Sequence, residues 1–159
     1  MWTFLWLPTQ RNAHEASLAS GRKALSGASA SGGSVASVPH CLISALCRRA
    51  DAGDVKDLHF HHFHTEGPAP YSEPRYEGIF FEQGFFVGPN VRKNVNAGYA
   101  DYLPVHLGES QKLYRDGAIK LGAALVNVSL PNAEGKVSLG TSVDCSVAAV
   151  ECADLVIGV

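Results

Sequence analysis

Four histidines stand within six residues of one another, close enough in sequence to be considered as metal ligands. They are His59, His61, His62 and His64, in the segment LHFHHFHT. Side chains alternate between the two faces of a β-strand, so His59 and His61 would share one face. His62 and His64 would share the other, and no HExxH or Cys/His spacing elsewhere supplies more ligands. The sequence therefore favours histidines at the end of a strand, reaching a cleft or solvent, over a metal site.

A run of serine and glycine at 26–34 joins a predicted strand to a predicted helix. Backbone N–H groups in such a turn, with a helix N-terminus behind them, can hold an anion. The run lacks the lysine of GxxxxGK[ST], does not fit GxGxxG, and contains only the first half of a GxSxG elbow. A tight connection between strand and helix is the simpler prediction, and a phosphate site is the alternative.

Composition describes one globular domain and excludes several classes of partner. The chain has 159 residues, of which 46% are hydrophobic and 18% charged. Its 13 basic and 15 acidic residues give a net charge of −2, so there is no cationic field to hold nucleic acid or an anionic membrane surface. The longest apolar stretches are shorter than the roughly 20 residues that a membrane span requires.

Short apolar runs alternate with amphipathic stretches, which is typical of βα units around a largely parallel sheet. The fold class predicted from this pattern is α/β. Strands are predicted at 23–28, 58–65, 101–107, 121–130, 137–140 and 155–159, and helices at 14–21, 38–49, 89–98, 109–117 and 141–153. The run at 121–130 is apolar on both faces, which predicts a central strand covered on both sides.

Two further segments connect these elements. Residues 66–78 contain three prolines and are predicted to form a surface or cleft loop. Residues 79–88 are dense in aromatic side chains, and such β-runs use aromatics for packing. The phenylalanines at 80, 81, 85 and 86 are therefore predicted to lie in the core rather than in a binding pocket.

The cysteines predict reduced thiols in an intracellular compartment, the cytoplasm or the mitochondrion. Cys41, Cys47, Cys145 and Cys152 form no CxxC pair and lie in predicted helices. Residues 1–35 contain a single acidic side chain, which suits a mitochondrial presequence, although a frayed terminus is the simpler interpretation. The sequence stops inside a predicted strand, so we expect a truncated product or a fragment.

Three ordered segments of the chain carry a family resemblance: HTEGPAPY at 64–71, FFVGPNVRKNVNAGYADYLPVHLGE at 85–109 and VNVSLPNAEGKVSLGTSVD at 126–144. Their most distinctive pieces are FVGPNVR at 86–92 and SLGTSVD at 138–144. Together they resemble the amino-terminal domain of the acetyl-CoA hydrolase and 4-hydroxybutyrate CoA-transferase family. The resemblance runs from about His14 to Val159, which leaves 1–13 as a terminal extension and 14–159 as an incomplete amino-terminal domain.

The resemblance implies an acyl-CoA:carboxylate CoA-transferase, or an acetyl-CoA hydrolase, built from two similar domains. Each domain would be a three-layer α/β/α unit with an open, mostly parallel sheet, and the substrate cleft would lie between the domains. In such enzymes a glutamate attacks the thioester and holds CoA transiently, while N–H groups stabilise the oxyanion. Coenzyme A is a substrate, no cofactor is bound, and the expected partner is a second lobe or another copy of the chain.

The same resemblance places the nucleophilic glutamate in the carboxyl-terminal domain, so no catalytic residue is expected in this chain. None of the seven glutamates that follow residue 60 aligns with it, and most are predicted on exposed loops or helix faces. The residues expected to line the acyl or carboxylate side of the cleft are Thr65, Glu66, Gly67, Gly88, Asn90 and Arg92.

These residues also admit a simpler interpretation, in which Gly88 and Pro89 only shape a turn and Arg92 is a solvated cation. At the level of the whole chain, the alternative to half of an enzyme is a non-catalytic fragment or paralogue that serves as a binding module. If the second lobe is absent, we expect an exposed apolar patch near 64–92.

Overall fold

The fold is described for residues 4–6, 27–33, 35–141 and 143–159 of a computed structural model. The predicted helix at 14–21 and residues 23–26 of the first predicted strand lie outside these ranges. The strands are β1 (Phe4–Trp6), β2 (Ser29–Gly32), β3 (Leu58–His62), β4 (Phe80–Gly84), β5 (Ala100–Tyr102), β6 (Ala123–Val126) and β7 (Leu155–Gly158). The helices are α1 (His40–Asp51), α2 (Pro89–Ala97), α3 (Leu107–Arg115) and α4 (Ser146–Cys152).

The seven strands form one sheet in the order β1-β7-β6-β2-β3-β4-β5, and every neighbouring pair is parallel. The α/β class predicted from the sequence is confirmed. From β2 the chain moves outward through β3 and β4 to β5, and it then returns to β6 on the other side of β2. The strand order therefore reverses between β2 and β6, and ligands of open α/β sheets bind beyond the carboxyl ends of strands at such a point.

Two apolar clusters cover the two faces of the sheet. Leu125 of β6 packs in a cluster with Leu42 and Leu46 of α1, while its neighbour Val126 packs in a second cluster with Tyr114 of α3 and Ala149 of α4. Successive strand residues point to opposite faces, so β6 contributes to both layers. This arrangement confirms the prediction of a central, doubly covered strand at 121–130.

The strand β2 lies where the sequence predicted a turn, so that prediction is wrong. Residues 27 and 28 form a turn and a bend, and the strand consists of SASG at 29–32. Small side chains let neighbouring strands approach closely here: a Cβ built on Gly32 would come within 2.8 Å of Phe60 Cζ. The N–H groups of Gly33 and Val35 donate to Leu125 O and His64 O, so neither is free to bind an anion.

Most of the other elements lie where the hydrophobic pattern predicted them, although they are shorter. The helix predicted at 89–98 is α2, and it ends at Gly98 in the left-handed conformation, φ 81°. The segment 137–140 is not a strand, because it pairs locally with Ser129 and not with the sheet. The helix predicted from residue 141 begins only at Ser146. The loop 66–78 contains two 3-10 turns, Pro70–Ser72 and Pro74–Tyr76.

Half of the prediction for the aromatic run is wrong. Phe80 and Phe85 are buried, whereas Phe81 is 42% exposed and Phe86 is 50% exposed. Phe81 lies on the opposite face of β4 from Phe80 and stacks on His59 with ring centroids 5.2 Å apart. Phe86 lies beyond the carboxyl end of β4, where no described helix covers it.

All four cysteines are free thiols, and Cys47 and Cys145 are buried. Among the described residues, no helix is both long enough and apolar enough to cross a membrane.

Candidate functional site

The loops that follow β3 and β4 meet at the carboxyl edge of the sheet. Asn90, in the first turn of α2, donates hydrogen bonds from Nδ2 to the carbonyl oxygens of Thr65 and Gly67, both at 2.9 Å. One amide side chain therefore fixes the backbone of a segment more than twenty residues earlier in the sequence. The structure brings together two of the three segments that carry the sequence resemblance, 64–71 and 85–109.

Thr65 is the buried member of this group, with 3% of its surface exposed. Its hydroxyl accepts a hydrogen bond from Tyr71 Oη at 2.7 Å. Burial, with the nearby charge of Glu82, raises the pKa of Tyr71 well above its ordinary value, so the phenol stays protonated and remains a donor. The 3-10 turn at 70–72 thus supports the preceding loop from within the core.

Glu66 presents its carboxylate to solvent, and His64 orients it. His64 Nε2 donates to Glu66 Oε2 at 2.9 Å, and the Glu66 side chain is 70% exposed. The His64 ring lies edge-on to Phe86, with centroids 5.2 Å apart, and against Gly88. The exposed carboxylate is in this way held by a ring that its neighbours fix.

Gly67 and Gly88 are glycines for two different reasons. Gly67 has φ +79°, a left-handed conformation that side chains disfavour, and a Cβ there would lie 3.3 Å from His40 Cε1. Gly88 has an ordinary φ of −71°, but a Cβ there would lie 2.8 Å from His64 Cε1 and 2.7 Å from Asn90 Oδ1. Close approach, and not backbone strain, excludes a side chain at 88.

Arg92 is the predicted site residue whose side chain takes no part in the hydrogen bonds described above. It lies one helical turn after Gly88, whose carbonyl accepts its N–H, and its side chain is exposed. The guanidinium makes no hydrogen bond or ion pair with any residue that the structure describes. Its five donors are free to bind a carboxylate in two-point geometry.

A buried ionisable pair below this edge was missed by the sequence analysis. His62 Nε2 donates to Glu82 Oε1 at 2.9 Å, and the two side chains are 1% and 3% exposed. Glu82 is therefore the exception to the expectation that most of these glutamates lie on exposed loops or helix faces. The available signal was the alternation of β4, which puts Glu82 on the same face as the core residue Phe80.

The alternation predicted for the histidine run is confirmed within the strand. Phe60 and His62 face the layer of α1, and His59 and His61 face the opposite side. Among the described residues, no group of three or more His, Cys, Asp or Glu side chains is arranged to hold a metal ion.

Four exposed apolar side chains, here called the apolar rim, also lie at this edge of the sheet. They lie beyond or at the carboxyl ends of four strands, and each is at least 45% exposed: Val35, Phe86, Tyr102 and Leu130. Only Phe86 lies within 64–92, so the apolar rim is wider than the patch expected from the sequence. Surfaces of this kind are typical of sites that another protein surface covers.

Comparison with known proteins identifies the family. The family described as "Acetyl-CoA hydrolase/transferase N-terminal domain" matches residues 13–159. The chain is 40% identical over 116 residues to the succinyl-CoA:acetate/propanoyl-CoA:succinate CoA transferase of Fasciola hepatica, covering 73% of this chain and 24% of the relative. It is 33% identical over 119 residues to the 4-hydroxybutyrate coenzyme A transferase of Clostridium kluyveri, covering 75% and 27%.

A solved structure agrees with these relatives. The fold matches the crystal structure of 4-hydroxybutyrate CoA-transferase from Porphyromonas gingivalis with a TM-score of 0.70 and 25% identity, covering 91% of this chain and 31% of that one. The chain spans about a quarter of the length of the curated relatives that it matches. It belongs to the acetyl-CoA hydrolase/transferase family and corresponds to the amino-terminal domain of that family.

Proposed function

We propose that residues 14–159 form one wall of a cleft in which coenzyme A is transferred from an acyl group to a carboxylate, with 1–13 as an extension. The observation that carries this proposal is the junction at the carboxyl edge, where Asn90 binds both Thr65 and Gly67. It joins two of the three family segments at the edge where open α/β sheets bind ligands. The second wall would come from a carboxyl-terminal domain.

The reaction requires a nucleophilic carboxylate that this domain does not provide. A glutamate of the second domain attacks the thioester carbonyl, the C–S bond breaks, and CoA leaves as a thiolate. The thiolate then attacks the glutamyl carbonyl of the mixed anhydride, which gives a glutamyl-CoA thioester and releases the carboxylate of the donor. An acceptor carboxylate then attacks the glutamyl-CoA thioester and displaces the CoA thiolate, which forms a new mixed anhydride. The thiolate attacks the carbonyl of the acceptor in that anhydride, which gives the new acyl-CoA and frees the glutamate. When water takes the place of the acceptor, the result is hydrolysis.

This chain would bind and orient the small acyl and carboxylate groups. At the start of α2, Pro89 has no N–H and the N–H groups of Val91 and Arg92 donate to Gly88 O, so the N–H groups of Gly88 and Asn90 are the ones left for an oxyanion. The Arg92 guanidinium offers a fork to the carboxylate of the substrate. Glu66 accepts hydrogen bonds and repels a second carboxylate, which directs that group towards Arg92. Thr65, Gly67 and Asn90 hold the loop that carries Glu66. The substrates would be short-chain acyl-CoA and small carboxylates such as acetate.

The apolar rim supports the presence of a second lobe, supplied by another polypeptide domain or by another copy of the chain. Phe86, Tyr102 and Leu130 are each at least half exposed. Covering them would stabilise the complex by about 25 cal/mol for each Å² of apolar surface removed from water. The chain alone would be inactive or nearly so.

The test is complementation. The purified chain is mixed with acetyl-CoA and succinate, with and without the separately expressed carboxyl-terminal domain of the Fasciola hepatica relative, and succinyl-CoA is measured. We expect no transfer by the chain alone and transfer by the mixture. In the mixture, Arg92→Met should raise the KM for succinate more than it lowers kcat. Transfer by the chain alone would contradict the proposal that it forms only one wall of the cleft. No succinyl-CoA in either sample would favour a non-catalytic binding module.

A further inference from the structure

A cavity that is open to solvent lies on the sheet face opposite α1, away from the six residues of the candidate site. Its volume is about 480 Å³, within the range of small-molecule sites. Three neighbouring strands contribute Ser29, His61 and Gln83, and the other lining residues are Leu103 and 117–120. None of the site residues predicted from the sequence lines it.

His61 forms the floor of this cavity and lacks hydrogen-bond partners. Its ring is 2% exposed, and neither Nδ1 nor Nε2 has a partner among the described residues. Burial, with the adjacent His59 and His62, lowers the pKa of His61 to about 4, so the imidazole is neutral at pH 7. A buried polar group without a partner costs about 1–3 kcal/mol, and native structures rarely leave one unsatisfied. Both ring nitrogens are buried, so the ring lies next to the cavity without being exposed to solvent.

Apart from His61, the polar side chains that line the cavity mainly donate hydrogen bonds, and the charged side chain among them, Lys120, is positive. Lys120 is exposed and makes no ion pair with any described residue, and none of the lining residues is acidic. Gln83 Oε1 accepts a hydrogen bond from His59 Nδ1 at 3.2 Å, which leaves the Gln83 NH₂ group as a donor. Leu103 and Ile119 supply the apolar part of the wall.

We propose that this cavity binds a small organic carboxylate. The carboxylate accepts hydrogen bonds from the Lys120 ammonium and the Gln83 amide. Such charge-assisted hydrogen bonds are stronger than those between neutral groups. The hydrocarbon part of the ligand packs against Leu103 and Ile119. The site lies outside the cleft of the proposed function and does not depend on it.

The test uses the full chain and sodium butyrate as the probe. Two-dimensional NMR follows the imidazole signals of His61 and the side-chain amide of Gln83 during the titration, with sodium chloride holding the ionic strength constant. We expect saturable shifts at both residues. Lys120→Met should weaken binding about tenfold, and Lys120→Arg should restore most of it. Lys93→Met removes an equal charge from an exposed helix and should leave the affinity unchanged.

Two results would overturn the proposal. One is the absence of a saturable shift at His61, which would mean that the cavity holds only water. The other is equal affinity in the parent chain and Lys120→Met. Arg92→Met separates this site from the cleft: butyrate binding at His61 should persist in that variant, whatever the outcome of the complementation assay.

Discussion

The imidazole of His64 lies against Gly88 so closely that a Cβ on Gly88 would come within 2.8 Å of His64 Cε1 and 3.1 Å of His64 Nδ1. The same ring orients Glu66, so the absence of a side chain at residue 88 sets the position of a carboxylate on a different loop. The geometry of the site thus depends on a contact between segments that follow two neighbouring strands.

The first prediction concerns Gly88→Ala. The new methyl group must displace His64 or Asn90, so we expect a loss of about 1–3 kcal/mol in the free energy of unfolding, measured by urea denaturation. Gly108→Ala is the control, because Gly108 has open space around it within α3. Alanine there should leave stability unchanged or raise it by up to about 1 kcal/mol. Equal effects of the two substitutions would contradict the contact.

The second prediction concerns Asn90→Asp, which keeps the shape of the side chain and removes its donor. A carboxylate cannot donate to the carbonyl oxygens of Thr65 and Gly67, so we expect a loss of about 1–3 kcal/mol in urea unfolding. Asn132→Asp is the matched control. Asn132 Oδ1 accepts from the N–H groups of Glu134 and Lys136, and an aspartate preserves that role. A comparable loss in the control variant would refute this account.

The third prediction concerns the hydrogen bond between Tyr71 and Thr65. A double-mutant cycle of Tyr71→Phe and Thr65→Val should give a coupling energy of about 1 kcal/mol in the free energy of unfolding, because both groups are buried. In the complemented enzyme, Thr65→Ser should retain more activity than Thr65→Val, since serine keeps the hydroxyl. Strictly additive stability losses would show that the hydroxyl groups do not interact.

The fourth prediction concerns pH. Because the pKa of His61 is about 4 in the folded chain and near 6.5 in the unfolded chain, the unfolded state binds more protons between these values. Stability from this group is fully present above pH 6.5 and should fall by about 3 kcal/mol as the pH is lowered towards 4. His61→Phe should flatten the dependence of unfolding free energy on pH in this window. An unchanged slope in His61→Phe would oppose the prediction.

The fifth prediction concerns thiol reactivity. Burial raises the pKa of Cys47 to about 11 and also raises that of Cys145, so neither forms appreciable thiolate near neutral pH. At pH 8 a thiol reagent should modify neither residue in the folded chain and both after denaturation, as peptide mass mapping would show. The half-buried Cys152 serves as the accessible reference. Rapid labelling of Cys145 in the folded chain would contradict its burial.

Much of the fold could be predicted because hydrophobic periodicity is a local property. The helix α2 shows this: Pro89 sits at its start, and Gly98 ends it in the left-handed conformation that glycine tolerates. The failures arose where neighbours in space override local preference. The sequence SASG resembles a turn, yet it forms β2, because parallel pairing with β3 on one side and β6 on the other sets its conformation.

For the site, the sequence by itself identified the family and the segments at 64–67 and 88–92, since residue types and their order are all that a resemblance requires. Only the tertiary structure decided that Asn90 holds Thr65 and Gly67, that Arg92 stands outside that network, and that Glu82 is buried against His62. The physical reason is that hydrogen bonds and burial depend on distances between segments far apart in the chain, and strand register and loop packing set those distances.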